Sequence, residues 1–380
     1  MYQTFTYSPL DRVYYDGKTK DILPKELELM DIDRLFIVSS STISKKTDEI
    51  DKIKDILGKK FVGIFDSCEE HSPLENVVEC AKKIKSTRPD MILTVGGGTP
   101  IDTVKVSQLC LTLGIFSSAE LKKISGKIQN VNSNIRQIAV PTTLSGGEYS
   151  IVGGAMDTKR KLKEAYLGKD LCPQVVILDP YISTHTPNWL WLSTAIRSID
   201  HAIEGFCSNL KNPLINHNAL ETLRIFSNSL RETKDDCYNI KARSQSQKAV
   251  WMIAKNMGNV TMGASHGIGY LLGSIGSVPH GQTSCVMLPA VLKWNEDFHP
   301  EKDKMIANAL GRPNLKAYEA VKELIIDLGL PHCLQDVGIG RDKYEKIVKY
   351  ALENQTVLAN PKPISKADDI FEILNNAERG

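Results

Sequence analysis

Arginine and histidine side chains occur at a spacing that suits an anion or metal site. Arg197 and His201 are four residues apart in the helical pattern of residues 189–207, so they lie on one face of the predicted helix. Two further histidines, His266 and His280, follow in glycine-rich sequence. Three histidines from separate segments can bind a divalent metal, as in catalytic zinc sites. Hydrogen-bonded structural histidines are the commoner case, and the spacing leaves both interpretations open.

A second group of residues is typical of phosphate binding. Gly96, Gly97 and Gly98 follow a predicted strand and precede a predicted helix, with Thr99 and Asp102 placed as N-cap and capping-box partner. Glycines let backbone N–H groups approach a pyrophosphate, and the helix N-terminus adds partial positive charge. A glycine-rich turn without a ligand is the alternative, because the GxGxxG fingerprint is absent.

Hydroxyl side chains follow the next predicted strand. Thr142, Thr143 and Ser145 lie in the sequence PTTLSGGE, residues 141–148. Loops at the carboxyl ends of parallel strands are where α/β folds bind ligands. This loop therefore supports a ligand site beside the glycines, although on its own it is a weak signal.

The elements that must position these residues fall into two parts. Short apolar runs alternate with amphipathic stretches in the first half, which indicates a parallel sheet covered by helices on both faces. After residue 180 the pattern is helical with almost no strand signals. We predict an α/β domain over residues 1–183 and an all-α domain over residues 184–380. Strands are predicted at 34–39, 61–66, 91–95, 137–140 and 174–178, and helices at 45–59, 73–85 and 100–113.

Composition excludes several classes of function. The 380 residues are 42% hydrophobic and 24% charged, with a net charge of +2 and no block of basic residues, so nucleic acid is not an expected partner. No apolar run approaches the roughly 18 residues of a membrane span. The N-terminus lacks a secretory pattern, and the eight cysteines are scattered, so we expect a cytoplasmic protein with free thiols.

Several ordered motifs resemble the iron-containing alcohol dehydrogenase superfamily over nearly the whole chain. They are GGGTPIDTVK (96–105), PTTLSGGE (141–148), IDHAIE (199–204), SHGIGYLLGS (265–274) and PHGQTSCVMLP (279–289). The resemblance implies an N-terminal Rossmann-like domain that binds NAD(P) and a helical C-terminal domain, with the site in the cleft between them. It also implies a small-molecule substrate and a homodimer.

By the resemblance, residues of the first domain bind the cofactor. Many NAD-preferring relatives have an aspartate after the second strand, whereas this chain has Ser40 with Lys45 and Lys46 close behind. Without that aspartate, nothing at this position repels the 2′-phosphate of NADPH. The site can therefore accept NADPH, and NADH as well. The cofactor-binding residues implied are Ser40, Gly96, Gly97, Gly98, Thr99, Asp102, Thr142, Thr143, Ser145 and Lys163.

The resemblance also locates a metal site, from which this chain departs. Family alcohol dehydrogenases bind metal through an aspartate one helical turn before a histidine and through two later histidines. His201, His266 and His280 match the histidines, but Arg197 occupies the aspartate position. A guanidinium has only donors and cannot ligate a metal, and Asp200 projects roughly 100° away from His201 around a helix. We expect no catalytic metal; were one present, the three histidines would be its ligands.

Three details resemble the maleylacetate reductase branch of the superfamily. The loop 141–148 is one residue shorter than in the alcohol dehydrogenases, and residues 71–73 and 163–166 look like those of that branch. The implied function is NAD(P)H-dependent hydride transfer to an unsaturated oxo-dicarboxylic acid, maleylacetate to 3-oxoadipate.

The residues of the helical domain would divide the chemistry of that reaction. Arg197 would hold a carboxylate, because an arginine binds it bidentately. His201, His266 and His280 would bind oxo or carboxylate groups, and one of them or Tyr270 would donate the proton. A metal-dependent alcohol dehydrogenase is the nearest alternative. A cyclase of the same fold that reuses NAD, and a dinucleotide-binding protein without catalysis, are more distant ones.

Overall fold

The computed structural model describes residues 4–210 and 212–378, which form two compact units. One is Thr6–Thr186, and the other is the chain from Pro187 onward with residues 4 and 5. The division falls three residues beyond the predicted boundary at 183, because a short helix, Pro180–Ser183, stays with the α/β unit. Asp179 caps that helix by accepting hydrogen bonds from the Tyr181 and Ile182 N–H groups.

The strands of the first unit form two sheets. Among the described residues, one sheet has the order β1-β9-β6-β4-β2-β3 with all neighbours parallel. Its inner strands β2 and β4 are buried along their whole length, which explains their continuous apolar sequence. The predicted parallel sheet is confirmed. In chain order the strands are β1 Arg12–Tyr14, β2 Leu35–Ser39, β3 Phe61–Phe65, β4 Met91–Gly96, β5 Ile128–Gln129, β6 Arg136–Pro141, β7 Val152–Asp157, β8 Leu162–Gly168 and β9 Val175–Ile177.

Helices cover both faces of the parallel sheet. Leu27 of α1 and Ile53 of α3 pack on one face, while Ile84 of α4 and Val104 of α5 belong to the core cluster on the other face. Burying both faces in this way satisfies the apolar strands. The helices of this unit are α1 Thr19–Leu29, α2 Ser41–Lys46, α3 Glu49–Leu57, α4 Leu74–Thr87, α5 Gly98–Leu113, α6 Ser118–Lys122 and α7 Pro180–Ser183.

Two local predictions in this unit were wrong, and one pair of strands was missed. The single helix predicted over 45–59 is two helices, because Thr47 is extended and its hydroxyl accepts from the Glu49 N–H. The antiparallel pair β7 and β8, which forms a second sheet with β5, was not predicted. The N-cap of α5 is Gly97 and not Thr99, so the predicted capping box of Thr99 and Asp102 does not form.

The second unit is helical throughout its described elements, which confirms the predicted all-α domain. None of the described helices combines the length and apolarity needed to cross a bilayer. All eight cysteines lie in the described residues, and none forms a disulfide. The helices are α8 Asn188–Cys207, α9 Pro213–Asp235, α10 Ile240–Ala254, α11 Ala264–Gly276, α12 His280–Asn295, α13 Pro300–Ala309, α14 Ala317–Asp327, α15 Tyr344–Ala351, α16 Gln355–Leu358 and α17 Ala367–Glu378.

Helix α8 is the central element of the helical unit. From Trp191 to Phe206 all of its residues except His201 are buried. A helix that is apolar on several faces must be surrounded by other helices, and α8 packs against α9 and α12. Its polar residues are therefore buried as well, and each needs a partner inside the unit.

Candidate active site

Four charged or polar side chains of α8 lie within two turns of one another. Arg197, Asp200, His201 and Glu204 are separated by three or four residues or are adjacent, so they share one broad face of the helix. That face meets the N-terminal halves of α11 and α12, which carry His266 and Ser284. The site is thus assembled from three helices of the same unit.

Glu204 caps the N-terminus of α11. Its carboxylate accepts hydrogen bonds from the backbone N–H of Gly263 at 2.8 Å and of Ser265 at 2.7 Å. An anion at this position also interacts favourably with the helix dipole. A Cβ at Gly263 would lie 2.9 Å from a Glu204 oxygen, so a larger residue there would displace the carboxylate from the cap.

His266 lies between two carboxylates. Its Nδ1 is 2.7 Å from Glu204 Oε2 and 3.3 Å from Asp200 Oδ2, and the residue is only 1% exposed. Burial and the charge of Arg197 lower the pKa of His266, but Asp200 and Glu204 outweigh both and raise it to about 9. The side chain is therefore an imidazolium at neutral pH.

Asp200 connects the arginine to the histidine. Its Oδ2 accepts hydrogen bonds from Ser265 Oγ at 2.9 Å and Ser284 Oγ at 2.6 Å. Burial alone would raise the pKa of this carboxyl, but His266, Arg197 and Ser284 lower it overall. Asp200 was not predicted as a site residue, because it projects away from His201 around the helix. A buried arginine three residues earlier was the available signal, since such an arginine needs an anionic partner.

Arg197 is buried but not saturated. Its Nη1 donates to Ser284 Oγ at 3.1 Å and lies 3.8 Å from Asp200 Oδ2, while 4% of the side chain is exposed. Among the described residues this is its one hydrogen bond, so most of its five N–H donors are available to a ligand. The arrangement suits a carboxylate, which accepts two parallel hydrogen bonds from a guanidinium.

The remaining predicted residues surround this pair. His201 stacks on His266 with ring centroids 4.8 Å apart, and Tyr270 lies 5.3 Å from His280 and 5.2 Å from the Arg197 guanidinium carbon. Burial, then the charges of His266 and Arg197, lower the pKa of His201 well below its usual value, so it is neutral. Tyr270 is 44% exposed. All five residues predicted for catalysis are therefore in one cluster.

His280 is the first residue of helix α12, with Pro279 as N-cap. Gly281 allows this, because a Cβ there would lie 2.7 Å from the backbone of Ser193. Close approach of α12 to α8 brings Ser284 to Asp200.

The donor set does not match the metal site that the family resemblance implies. Among the described residues, the three histidines do not bring ligand atoms within 4.8 Å of one another; Asp200, Glu204 and His266 do. In that group the Nδ1 to Oε2 distance of 2.7 Å is a charge-assisted hydrogen bond, and the Arg197 cation stands 3.8 Å from Asp200. His266 Nδ1 and Glu204 Oε2 share a proton. The Arg197 cation would repel a divalent metal ion bound beside it.

The predicted cofactor residues are brought together in the α/β unit. Gly96 has φ of 151°, a conformation suited to glycine, and a Cβ on Gly97 would lie 2.8 Å from the Thr143 side chain. The Thr142 N–H donates to the Gly96 carbonyl at 3.0 Å. A Cβ on Gly97 would fill the space between the two loops, so this cradle next to the α5 N-terminus fits a pyrophosphate.

The other predicted cofactor residues border the cradle. Ser40 caps α2, and its Cβ would be 3.4 Å from a Cβ on Gly96. Lys163 reaches Asp102 at 3.4 Å, and a Cβ on Gly154 would overlap the Lys163 chain. Ser145 lies 3.3 Å from Thr143 through their hydroxyls.

Ser72 is a neighbour of the cradle that was not predicted from the sequence. Its hydroxyl donates to the Thr99 carbonyl at 3.1 Å, and the Thr103 hydroxyl donates to it at 3.1 Å. Both Ser72 and His71 have positive φ, 53° and 64°, although neither is glycine. Two such residues in succession are uncommon, and the hydrogen bonds of Ser72 hold the turn against α5. The HSP sequence was noted, but its backbone conformation carried no recognisable signal.

Glu148 at the end of the PTTLSGGE loop is buried, with 2% exposure. Burial raises the pKa of its carboxyl to about 7, against a smaller lowering by its own backbone and Lys105. Because the folded pKa lies above the unfolded value of 4.5, the stability it contributes is complete below that value. It is lost as the pH rises through about 7.

Glu148→Gln is therefore expected to stabilise the protein at pH 8 by about 2–3 kcal/mol and to have little effect at pH 4.5. Urea unfolding at the two pH values measures this difference. Glu75→Gln, an exposed substitution in the same unit, is the control and should leave stability unchanged at both. A stabilisation that is equal at the two pH values would contradict the assignment.

Comparison with known proteins gives matches along the whole chain. The family model described as iron-containing alcohol dehydrogenase matches residues 11–180, and that of the Fe-containing alcohol dehydrogenase family, C-terminal, matches residues 192–378. Dehydrogenase ALT3 of Alternaria alternata is 32% identical over 91% of this chain and 99% of its own length. A maleylacetate reductase of Sphingobium indicum is 26% identical over 99% of this chain and 98% of its own.

Solved structures share the fold. The sulfoacetaldehyde reductase of Bifidobacterium kashiwanohense in complex with NAD+ superposes with a TM-score of 0.87 and 20% identity, covering 99% of both chains. At that identity the likeness concerns the fold.

Proposed function

The chain belongs to the iron-containing alcohol dehydrogenase superfamily, and from this premise we propose that it is a reductase of the maleylacetate reductase type. The family makes it an NAD(P)-dependent oxidoreductase. Its substrate in this proposal is an unsaturated oxo-dicarboxylic acid, with maleylacetate converted to 3-oxoadipate. The observation that carries the proposal is Arg197, buried beside His266 with unused donors at the position where family alcohol dehydrogenases place a metal-binding aspartate.

The charges of the site favour an anionic substrate. Asp200 and Glu204 hold Arg197 and the His266 imidazolium in place, so the four buried charges balance. A substrate carboxylate would use the donors of Arg197 that Ser284 leaves free. A neutral alcohol or aldehyde offers no group to satisfy them, and unused buried donors disfavour its binding.

The residues then act on the atoms that react. Bound NAD(P)H supplies a hydride to the alkene carbon β to the oxo group and becomes NAD(P)+. Hydrogen bonds from the histidine cluster stabilise the negative charge that develops on the oxo oxygen. Protonation of the α-carbon completes the saturated oxo-acid. His266, already protonated, and the hydroxyl of the exposed Tyr270 are the groups placed to return that proton.

The same geometry leads us to propose that the reaction needs no metal. Arg197 supplies the positive charge that a metal supplies in family alcohol dehydrogenases. The carboxylates of Asp200 and Glu204 accept hydrogen bonds of 2.6–3.4 Å from Ser265, Ser284 and His266. Protons therefore lie on the carboxylate oxygens where a metal ion would bind.

Purified protein is expected to oxidise NADH or NADPH with maleylacetate at a kcat/KM about 10²-fold above that for neutral aldehydes and ketones. Metal content is measured on the same preparation and should be substoichiometric, with activity unaffected by chelators. Stoichiometric zinc or iron with chelator-sensitive turnover would instead establish the metal-dependent alcohol dehydrogenase alternative. Turnover without net consumption of NAD(P)H would point to a cyclase.

Arg197→Asp provides a matched control for the metal measurement. It restores the aspartate of the family's metal site and removes the nearby cation, so its metal content should exceed that of the wild type. Its activity on the oxo-dicarboxylic acid should fall, because the carboxylate loses its partner. An unchanged activity would count against the role of Arg197.

A further inference from the structure

Tyr270 places an exposed aromatic ring over a buried cation. Its ring centroid lies 5.2 Å from the guanidinium carbon of Arg197, which is within the roughly 6 Å of a cation–π interaction. The tyrosine is 44% exposed, whereas only 4% of the Arg197 side chain is exposed. The ring therefore shields one face of the guanidinium from water.

The polar contacts of Arg197 leave the plane of its guanidinium weakly fixed. Nη1 donates to Ser284 Oγ at 3.1 Å, and Asp200 Oδ2 lies 3.8 Å from that same nitrogen. Among the described residues, both contacts are thus made by one end of the group, which can still tilt. A guanidinium binds a carboxylate through two parallel hydrogen bonds only when its plane and that of the carboxylate coincide. A further contact is needed to hold that plane.

The packing of α11 against α12 holds the Tyr270 ring where it can make this contact. Gly269 lets the helices approach, because a Cβ there would lie 3.1 Å from Thr283 Oγ1 and 3.9 Å from Arg197 Nη1. Tyr270 is the next residue of α11, and its ring centroid is 5.3 Å from that of His280 on α12. The ring is therefore carried by two packed helices and not by a loop.

We propose that Tyr270 is a positioning residue for substrate binding: its ring holds the Arg197 guanidinium so that the unused N–H groups face one substrate carboxylate. A carboxylate bound at the edge of the guanidinium leaves the face to the ring, so the two contacts coexist. This role belongs to the ring and is separate from proton transfer by the hydroxyl. It rests on the proposed function, because it concerns the carboxylate of the oxo-dicarboxylic acid.

Binding of adipate, a saturated dicarboxylate that accepts no hydride, tests the proposal on the full chain saturated with NAD+. Titration calorimetry measures the Kd. Tyr270→Leu is expected to raise it about five- to tenfold, because the guanidinium loses the ring. Tyr270→Phe keeps the ring, so its Kd should stay within about twofold of the wild-type value. Equal losses in the two variants would overturn the proposal, since the hydroxyl would then be the group that matters.

A double-mutant cycle shows whether Tyr270 acts through Arg197. In Arg197→Met the ring has no cation to hold, so adding Tyr270→Leu should change the Kd for adipate by less than about twofold. Where adipate binds Arg197→Met too weakly for calorimetry, kcat/KM for maleylacetate provides the same comparison. An equal loss in both backgrounds would overturn the proposal, because Tyr270 would then act without the arginine.

A matched tyrosine controls for general effects of removing a ring. The Tyr318 ring also covers a cation, Lys293 Nζ at 4.4 Å from its centroid. Lys293 follows His280 by thirteen residues in α12, roughly 20 Å along the axis. Tyr318→Leu should leave the Kd for adipate unchanged, and a rise equal to that in Tyr270→Leu would count against the proposal.

Two further measurements keep the outcome decisive. Tyr270→Gln, which also lacks a ring and suits an exposed position, should raise the Kd as Tyr270→Leu does, and melting temperatures show that both variants fold. If the wild type binds adipate and reduces maleylacetate while both variants bind adipate equally well, the role of the ring is refuted and the proposed function stands. A wild type that neither binds adipate nor reduces maleylacetate would overturn both.

Discussion

Replacing Arg197 with methionine is expected to lower kcat/KM for an oxo-dicarboxylic acid by about 10²–10³-fold. The reason is that a buried guanidinium–carboxylate contact is lost, and truncating one partner of such a pair costs about 2–5 kcal/mol. Methionine has a similar length and no charge, so it fills much of the same space. Steady-state kinetics with maleylacetate and saturating cofactor measure the effect.

The substitution also removes a positive charge from the network, so its effect on folding must be separated from its effect on the substrate. Asp200 would keep its hydrogen bonds from Ser265 and Ser284 and its contact with His266. Melting temperature reports any loss of stability. A correctly folded variant with low activity isolates the contribution of the guanidinium.

A substrate analogue completes the test. The mono-ester or neutral enone that lacks the carboxylate has no group for Arg197 to bind, so Arg197→Met should change its kcat/KM by less than about threefold. If the substitution lowers kcat/KM equally for the oxo-dicarboxylic acid and for the neutral analogue, Arg197 does not contact the carboxylate. The loss would then come from disturbance of the Asp200 network.

Much of the fold followed from patterns that local sequence contains. Continuous apolar strands such as Met91–Gly96 indicated a parallel sheet because both faces of the strand are buried. The hairpin of β7 and β8 was missed because Gly153 and Gly154 interrupt one strand and β8 is partly exposed, so neither has strong strand character. The predicted start of α5 at residue 100 was too late, because its N-cap is Gly97, which lacks the side-chain oxygen by which an N-cap is recognised in sequence.

The residues of the candidate site were predicted better than the contacts between them. Arg197, His201 and His280 could be recognised from residue type and spacing. The pairing of His266 with Asp200 and Glu204 could not, because it depends on how closely α11 and α12 approach α8. That approach is set by contacts such as Gly281 against Ser193, which are distant in sequence. Side chains that hold the reactive residues in place, such as Asp200 and Glu204, are therefore not recognised from residue type and spacing.

Glu204→Gln is expected to be among the most destabilising single substitutions in the helical unit, by about 3–5 kcal/mol at pH 7. Glu204 caps α11 through the Gly263 and Ser265 N–H groups and also pairs with His266. Glutamine keeps one acceptor oxygen for the cap but offers no charge to the imidazolium. The imidazolium of His266 is then a buried cation with Asp200 as its nearest anion.

The pH dependence of that loss distinguishes the ion pair from the cap. The pKa of His266 is raised to about 9 from 6.5, so its stabilising contribution is complete below 6.5 and disappears as the pH rises through about 9. Removing Glu204 lowers that folded pKa, and the difference in the free energy of unfolding between variant and wild type should therefore be larger at pH 7 than at pH 10.

Urea unfolding followed by circular dichroism at both pH values measures this difference, with Glu296→Gln as control. Glu296 is half-buried and pairs with Lys293 and Lys316, so its loss should cost no more than about 1 kcal/mol. If Glu204→Gln destabilises equally at pH 7 and pH 10, His266 carries no proton for Glu204 to hold, and the charge balance proposed for the substrate site fails with it.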